Sequence, residues 1–126
     1  GFLSVKLKYL DKWTQERKEI ADKYYKGIKN EKIKLPSYTK ENVYHIFPVL
    51  ADNRNQLQKY LEEKGIHCLI HYPTAIHLQE AYRDMGLKRG AYPLAERICD
   101  TELSIPLYPG MTDGEIQYVI DAINEY

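Results

Sequence analysis

The chain has 126 residues, with 18 basic and 18 acidic side chains and a formal net charge of zero. This length fits one domain with its own core, and a composition of 44% hydrophobic and 29% charged residues excludes a disordered chain. Zero net charge argues against a nucleic-acid-binding face, and no apolar run approaches the roughly 20 residues of a membrane span. Two cysteines, Cys68 and Cys99, are too few for a secreted disulfide framework, so we expect free thiols in a cytoplasmic protein.

The first predicted element is one long amphipathic helix from Leu3 to Ile28, because its apolar residues recur at steps of three and four. It would be about 39 Å long, whereas a compact globule of this size is only about 36 Å across. The stripe also starts without a capping residue. We therefore interpret it as a helix that spans or overhangs its own domain, in a chain that begins inside or just before it; the alternative is a frayed start of the chain. We expect the stripe of Leu3, Leu7, Leu10 and Trp13 to be partly uncovered and to favour self-association.

Two strands are predicted after a short extended piece at residues 33–36. Residues 43–50 are β-branched and aromatic, and Pro48 in this run should lie at an edge or a bulge. Residues 66–71 form the second predicted strand, which ends at Tyr72 and Pro73. Residues 103–106 are expected to form a small third strand or a connector.

Four further helices complete the predicted order. One begins at Asp52 or Asn53 and ends at Gly65, and a short one over residues 78–85 ends at Gly86. Pro93 suits the first turn of the next helix. The last, from Thr112 to Glu125, has a capping box between Thr112 and Glu115. The order predicts an α+β fold, a two- to three-stranded sheet flanked by helices.

Three of the four histidines cluster at His67, His71 and His77, which suggests a metal site. On a strand, however, His67 and His71 would lie about 13 Å apart, and Cys68 would point to the opposite face. We therefore expect neither a metal site nor a nucleophile pair between Cys68 and His71. The remaining candidate is the rigid corner His71-Tyr72-Pro73 at a strand end, either a ligand site or a turn capped by a structural histidine.

Several runs of the sequence resemble the sugar aminotransferases of the DegT–DnrJ–StrS family, which depend on pyridoxal phosphate (PLP). The resemblance begins with L-K-Y-L-D-K-W at residues 7–13 and covers essentially the whole chain. It is strongest in H-Y-P-T-A-I-H-L-Q-E-A-Y at residues 71–82 and in L-S-I-P-L-Y-P-G-M-T-D-G-E-I at residues 103–116. Two departures are Ala75, where a proline is common, and Pro48, where an aliphatic residue is usual.

The resemblance implies that residues 1–30 are the long helix that links two domains, and that residues 31–126 are the C-terminal small domain of a fold-type I PLP-dependent transferase. The family's large domain, with the Schiff-base lysine and the other cofactor contacts, would precede residue 1. No residue of this chain is therefore expected to be catalytic or to bind PLP, and the isolated chain is expected to be inactive. His71, Tyr72 and His77 are the implied substrate-binding residues, with His77 supporting their loop.

The implied reaction of the full-length protein transfers an amino group, usually from glutamate, to a keto group of a nucleotide-linked deoxysugar. Such chemistry belongs to amino-sugar and cell-surface polysaccharide biosynthesis. The partners implied are the nucleotide sugar, the amino donor and a second copy in a homodimer, without nucleic acid, membrane or metal. The alternatives are a stand-alone α+β module that binds a ligand or partner without catalysis, and a pseudo-enzyme whose upstream domain has lost its lysine.

Overall fold

The computed structural model describes residues 1–126 as five α-helices, two 3₁₀ helices and one two-stranded sheet. This confirms the predicted α+β class and the predicted size of the sheet. The elements in chain order are α1 (Phe2–Leu7), α2 (Leu10–Gly27), β1 (Phe47–Leu50), α3 (Arg54–Glu63), the 3₁₀ helices Ile76–Leu78 and Glu80–Met85, α4 (Pro93–Thr101), β2 (Glu102–Ile105) and α5 (Asp113–Glu125). No helix combines the length and the hydropathy needed to cross a bilayer.

The sheet is antiparallel, with Phe47 of β1 opposite Ile105 of β2. Single bridges extend it on both sides, because Lys34 pairs with Leu50 and Leu69 pairs with Ser104. Residues 103–105, expected as a small third strand or a connector, therefore lie at the centre of the layer. This position brings the segment that follows Leu69 against β2.

Both predicted strands are shorter in the structure than the sequence suggested. Residues 43–46 are not part of β1, and Tyr44 there has a positive φ of 47°. The predicted strand at 66–71 is reduced to the single bridge at Leu69. β propensity describes how a residue fits a pleated surface, so it does not fix how many residues find a partner strand.

Pro48 lies where its missing N–H removes no hydrogen bond of the sheet. Its partner in the register is Ser104, whose backbone N–H donates instead to the carbonyl of Leu69 at 2.7 Å. The backbone of Leu50, two residues later, bonds Lys34 on the side away from β2. Backbone nitrogens two residues apart in a strand face the same side of that strand. The nitrogen of Pro48 therefore also faces the outer edge of β1, as predicted.

The core lies between the sheet and helices α2, α3 and α5. Gly27 allows α2 to approach α5 closely, since a Cβ at this position would lie 2.7 Å from Cδ1 of Ile120. The hydroxyl of Tyr24 donates to the carbonyl oxygen of Pro106 at 2.6 Å and so ties α2 to the end of β2. The largest fully buried side chains are Tyr24, Phe47, Val49, Leu57, Leu61, Leu103 and Ile123.

The predicted long helix is interrupted at Lys8 and Tyr9, which separate α1 from α2. The N–H groups of these two residues bond the carbonyls three residues back, those of Val5 and Lys6, so the turn tightens. No residue of α1 is buried, so burial in the core does not hold α1 in line with α2. Leu3 is 82% exposed and Leu7 68% exposed, which confirms that the apolar stripe is uncovered.

Most helix ends follow the predicted signals, but the predicted cap of α3 is wrong in part, because Asn53 precedes the helix without a side-chain capping hydrogen bond. The side chain of Thr112 accepts the N–H of Glu115, and the Glu115 carboxylate accepts the N–H of Thr112, which completes the capping box. Gly65 ends α3 with φ of 75°, and the N–H of Ile66 bonds the carbonyl of Leu61. Pro93 is in the first turn of α4. The short helix near residue 80 is two 3₁₀ helices rather than an α-helix.

Candidate functional site

His71 is fixed at the edge of the sheet by two side chains of β2. Its backbone N–H donates to Oε2 of Glu102 at 2.7 Å, and its ring Nδ1 lies 2.9 Å from Oγ of Ser104. The Ser104 hydroxyl donates in turn to Oε1 of Glu102 at 2.5 Å. Glu102 is only 2% exposed and Ser104 6% exposed, whereas His71 is half-buried. The histidine therefore stands at the surface on a buried polar support.

Tyr72 continues the chain out of the sheet towards solvent. Its side chain is 68% exposed, and its ring packs edge-on against the His71 ring with the centroids 5.5 Å apart. The peptide bond between His71 and Tyr72 is cis. This exposed aromatic ring next to an anchored imidazole forms one rim of the cavity described below.

His77 is held differently, because it is buried and its ring is hydrogen-bonded to a buried glutamate. Its Nε2 lies 2.9 Å from Oε1 of Glu96 in α4, and its ring packs edge-on against Tyr92 at 4.9 Å. Oxygens of Glu96 also accept the backbone N–H groups of Gly90 and Tyr92. His77 thus ties the first 3₁₀ helix to the loop before α4.

The electrostatics of Glu96 are set by these donors. Burial by itself would raise the pKa of the Glu96 carboxyl, but the N–H groups of Gly90 and Tyr92, together with the His77 ring, hold that pKa below its ordinary value. The ionised form of Glu96 is therefore the favoured partner of His77 at neutral pH.

A cavity of about 580 Å³ lies between the 71–85 segment and α4. Its wall contains no aspartate, glutamate, lysine or arginine, and most of it is aliphatic and aromatic. Such a wall suits a small uncharged group that combines apolar faces with a few hydroxyls. The lining residues are His71, Tyr72, Thr74, Ala75, Ile76, His77, Gln79, Tyr82, Met85, Leu87, Tyr92, Ala95, Ile98 and Cys99.

The structure brings all three residues implied by the resemblance, His71, Tyr72 and His77, to this one cavity. Two of them differ sharply in exposure, since Tyr72 is open to solvent and His77 is 8% exposed. His67 lies elsewhere and pairs with Glu62. The chain contains no cluster of three or more metal-ligating side chains.

The two cysteines are not paired with each other, and Cys68 is buried in the core. Burial, with a smaller contribution from the charge of Glu62, raises the pKa of the Cys68 thiol to about 12. A thiol that stays protonated at neutral pH is a poor nucleophile, so Cys68 behaves as a core residue. Cys99 is half-buried and lies in the cavity wall.

The residues that sequence reasoning missed are the buried acceptors Glu96, Glu102 and Ser104. A signal was present in β2, because Glu102 and Ser104 alternate with two aliphatic residues and must share one face of the strand. Two polar residues on one face of a strand that is buried throughout need hydrogen-bond partners. The sequence alone did not identify His71 as that partner.

Comparison with known proteins gives a consistent result. The model of the DegT/DnrJ/EryC1/StrS aminotransferase family matches residues 2–124. The chain is 41% identical to dTDP-3-amino-3,6-dideoxy-alpha-D-galactopyranose transaminase of Aneurinibacillus thermoaerophilus, over all of this chain and 35% of the relative. It is 33% identical to dTDP-3-amino-3,4,6-trideoxy-alpha-D-glucose transaminase of Streptomyces venezuelae, over 98% of this chain and 34% of the relative.

Solved structures agree with this fold. DesV of Streptomyces venezuelae superposes with a TM-score of 0.93 at 33% identity, over 98% of this chain and 34% of DesV. NtdA of Bacillus subtilis, solved with the bound cofactor PMP, superposes with a TM-score of 0.82 at 26% identity, over 94% of this chain and 29% of NtdA. The chain spans about a third of the length of these relatives.

The lining of this cavity does not by itself fit PLP, the cofactor of the matching family. A PLP site needs a lysine amine for the Schiff base and a partner for the pyridine nitrogen, and its phosphate needs N–H or cationic donors. The cavity wall contains no lysine, no arginine and no carboxylate, so it lacks the charged side chains of such a site. The composition of the wall suits an uncharged group better than a charged one.

Proposed function

Because the chain belongs to the DegT/DnrJ/EryC1/StrS aminotransferase family, we propose that it works as the C-terminal domain of a longer PLP-dependent sugar aminotransferase. Residues 1–30 are the inter-domain segment in this proposal, and residues 31–126 are the small domain. The whole enzyme transfers an amino group, usually from glutamate, to a keto group of a nucleotide-linked deoxysugar. The product belongs to amino-sugar and cell-surface polysaccharide biosynthesis.

The observation that supports this role is the uncharged cavity beside His71. A deoxysugar ring has apolar faces and few hydroxyls, and it matches a wall of tyrosine and aliphatic side chains better than a phosphate group does. The half-buried imidazole supplies a polar contact on the wall, and Tyr72 supplies an exposed ring next to it. The nucleotide diphosphate would then lie outside this cavity.

The three proposed substrate-binding residues have different tasks. His71 and Tyr72 face the sugar directly. His77 has its Nε2 bonded to Glu96, so it supports the wall by joining the 3₁₀ helix Ile76–Leu78 to α4. His77 thus shapes the pocket and presents mainly the face of its ring to the ligand.

When PLP is bound by the rest of the enzyme, its ring acts as the electron sink of transamination. The residues of this chain bind the sugar, orient its keto group and exclude water from the apolar wall. By itself the chain is expected to be inactive, because the cavity lacks a lysine within reach of a cofactor.

The proposed partners are the nucleotide sugar, the amino donor and a second copy of the enzyme in a homodimer, in the cytoplasm. The uncovered apolar side chains of α1 support an interaction surface, since Phe2 and Leu3 are 89% and 82% exposed. Sedimentation velocity over a range of concentrations tests self-association. A chain that stays monomeric throughout would contradict this part of the proposal.

The experiment that tests the function begins with the reading frame upstream of Gly1. If it encodes a large domain with a lysine, the complete protein should release 2-oxoglutarate when glutamate and a dTDP-linked 3-keto-6-deoxy sugar are supplied. The 126-residue chain in the same assay is the matched control and should show no turnover. A chain that binds the nucleotide sugar without any lysine-bearing domain upstream would support the stand-alone binding module instead.

A further inference from the structure

The hydrogen bonds that join Glu102, Ser104 and His71 determine where the imidazole carries its proton. A carboxylate oxygen only accepts, so the single hydroxyl hydrogen of Ser104 must point at Oε1 of Glu102, 2.5 Å away. The Ser104 oxygen is then free only to accept from the ring nitrogen 2.9 Å away. Nδ1 of His71 must therefore carry a hydrogen.

The opposite ring nitrogen is left open. Nε2 of His71 makes no hydrogen bond within the chain, and it is not among the buried polar atoms that lack a partner. His71 lines the cavity, and with its hydrogen on Nδ1 the neutral imidazole keeps the Nε2 lone pair for a ligand bound there. A lone pair attracts a hydrogen-bond donor and repels the oxygens of a phosphate or a ketone.

We propose that Glu102 and Ser104 are positioning residues that hold His71 as the Nδ1–H tautomer, so that Nε2 accepts a hydrogen bond from a hydroxyl group of the sugar. The tautomer follows from the hydrogen-bond geometry with Glu102 as a carboxylate, and the choice of a sugar hydroxyl as the ligand rests on the proposed function. Because Nε2 accepts a hydrogen bond, this contact favours a hydroxyl group over the keto group. It therefore determines the orientation of the sugar ring in the cavity.

The support is rigid because Glu102 binds His71 twice. Oε2 accepts the backbone N–H of His71, while Oε1 orients the ring through Ser104. Both supporting residues are buried, so water cannot take the place of either hydrogen bond. The direction of the Nε2 lone pair is thus built into the end of the sheet.

Long-range ¹H–¹⁵N correlation spectra of the 126-residue chain at neutral pH report which ring nitrogen is protonated. We expect His71 to be the Nδ1–H tautomer in the wild type and in Ser104→Thr, which keeps the hydroxyl. In Ser104→Ala the preference should disappear. In Glu102→Gln it should reverse, because the amide oxygen keeps the backbone contact and the amide N–H₂ donates to Ser104, whose hydroxyl then donates to Nδ1.

The exposed His67, which contacts neither residue, is an internal control and should not change between variants. Circular dichroism melting identifies any variant that fails to fold, and the serine and glutamate variants test the support separately. An Nε2–H tautomer in the wild type, or an unchanged tautomer in folded Glu102→Gln and Ser104→Ala, would overturn the proposal.

A kinetic measurement on the complete enzyme separates the tautomer from the ligand. Glu102→Gln should lower kcat/KM for the keto sugar about tenfold, the scale of one lost hydrogen bond, while the half-reaction with glutamate is unchanged. Ser104→Thr should stay within about threefold of wild type. Equal losses in both half-reactions would refute the sugar contact. An enzyme without any transamination would refute the proposed function and leave the spectra as the test of the tautomer.

Discussion

His71 and His77 are six residues apart and line the same cavity, yet they are held in opposite ways. His77 uses Nε2 to bind a buried glutamate, whereas His71 uses Nδ1 and keeps Nε2 open. Nε2 is the ring nitrogen farther from the backbone, and in His77 it is used for a hydrogen bond within the protein. The comparison shows how to assign a role to a histidine near a ligand site. The ring nitrogen that is hydrogen-bonded within the protein supports the fold, and the other nitrogen is available to a ligand.

The residues that hold the two histidines also lie in different parts of the fold. Glu102 and Ser104 lie at the centre of the sheet, so the position of His71 depends on strand register. Glu96 lies in the first turn of α4 and takes its other hydrogen bonds from the loop before that helix. Loss of the His77 contact should therefore loosen a loop, and loss of the His71 side chain should leave the sheet intact.

The largest expected effect is on stability, for His77→Ala. The substitution leaves a cavity beside Tyr92 and removes a partner from buried Glu96, so the free energy of unfolding should fall by about 2–4 kcal/mol. Urea denaturation followed by circular dichroism measures it. His67→Ala, at an exposed histidine, is the control and should change stability little. A wild-type value for His77→Ala would show that the hydrogen bond between His77 and Glu96 is not needed by the fold.

The next effect is on catalysis, for His71→Ala in the complete enzyme. Loss of one substrate hydrogen bond should lower kcat/KM for the nucleotide sugar by about 10- to 100-fold, or about 1–3 kcal/mol. Stability should change little, since Ser104 and Glu102 remain bonded to each other. Steady-state kinetics and a melting curve on the same preparation check both. Early melting with normal kinetics would identify His71 as a structural histidine.

A smaller effect is expected for Thr112→Ala, which should lower stability without changing activity. Thr112→Ala removes the capping box of α5, outside the cavity, and should cost about 1 kcal/mol of stability. The kcat/KM of the complete enzyme should not change. If it falls together with stability, the kinetic loss in His71→Ala cannot be attributed to a substrate contact.

The smallest effect is a pH dependence. Because the pKa of folded Glu96 is depressed, its stabilisation is present above the ordinary glutamate pKa of about 4.3 and is lost as pH falls through the folded value. The stability difference between wild type and Glu96→Gln should therefore shrink in acid, as melting temperatures at several pH values would show. Glu80→Gln, at an exposed residue, serves as the control. A difference that grows in acid would mean the opposite pKa shift.

The sequence determined the elements whose signals are local. The capping box of Thr112 and Glu115, the glycine end of α3 at Gly65 and proline in the first turn of α4 all depend on residues within one turn. The edge position of Pro48 also followed from the residue itself, because proline has no N–H to give to a sheet. The resemblance to the aminotransferase family was likewise visible in contiguous runs.

Only the tertiary structure decided the features that depend on contacts between distant segments. The interruption of the predicted long helix at Lys8, the reduction of a strand to the bridge at Leu69 and the central place of β2 all depend on which segments find partners. The support of His71 is of the same kind, since more than 30 residues separate it from Ser104. The sequence marks a histidine as a candidate, but the atom that each ring nitrogen meets is set by strand register and packing, which no local pattern encodes.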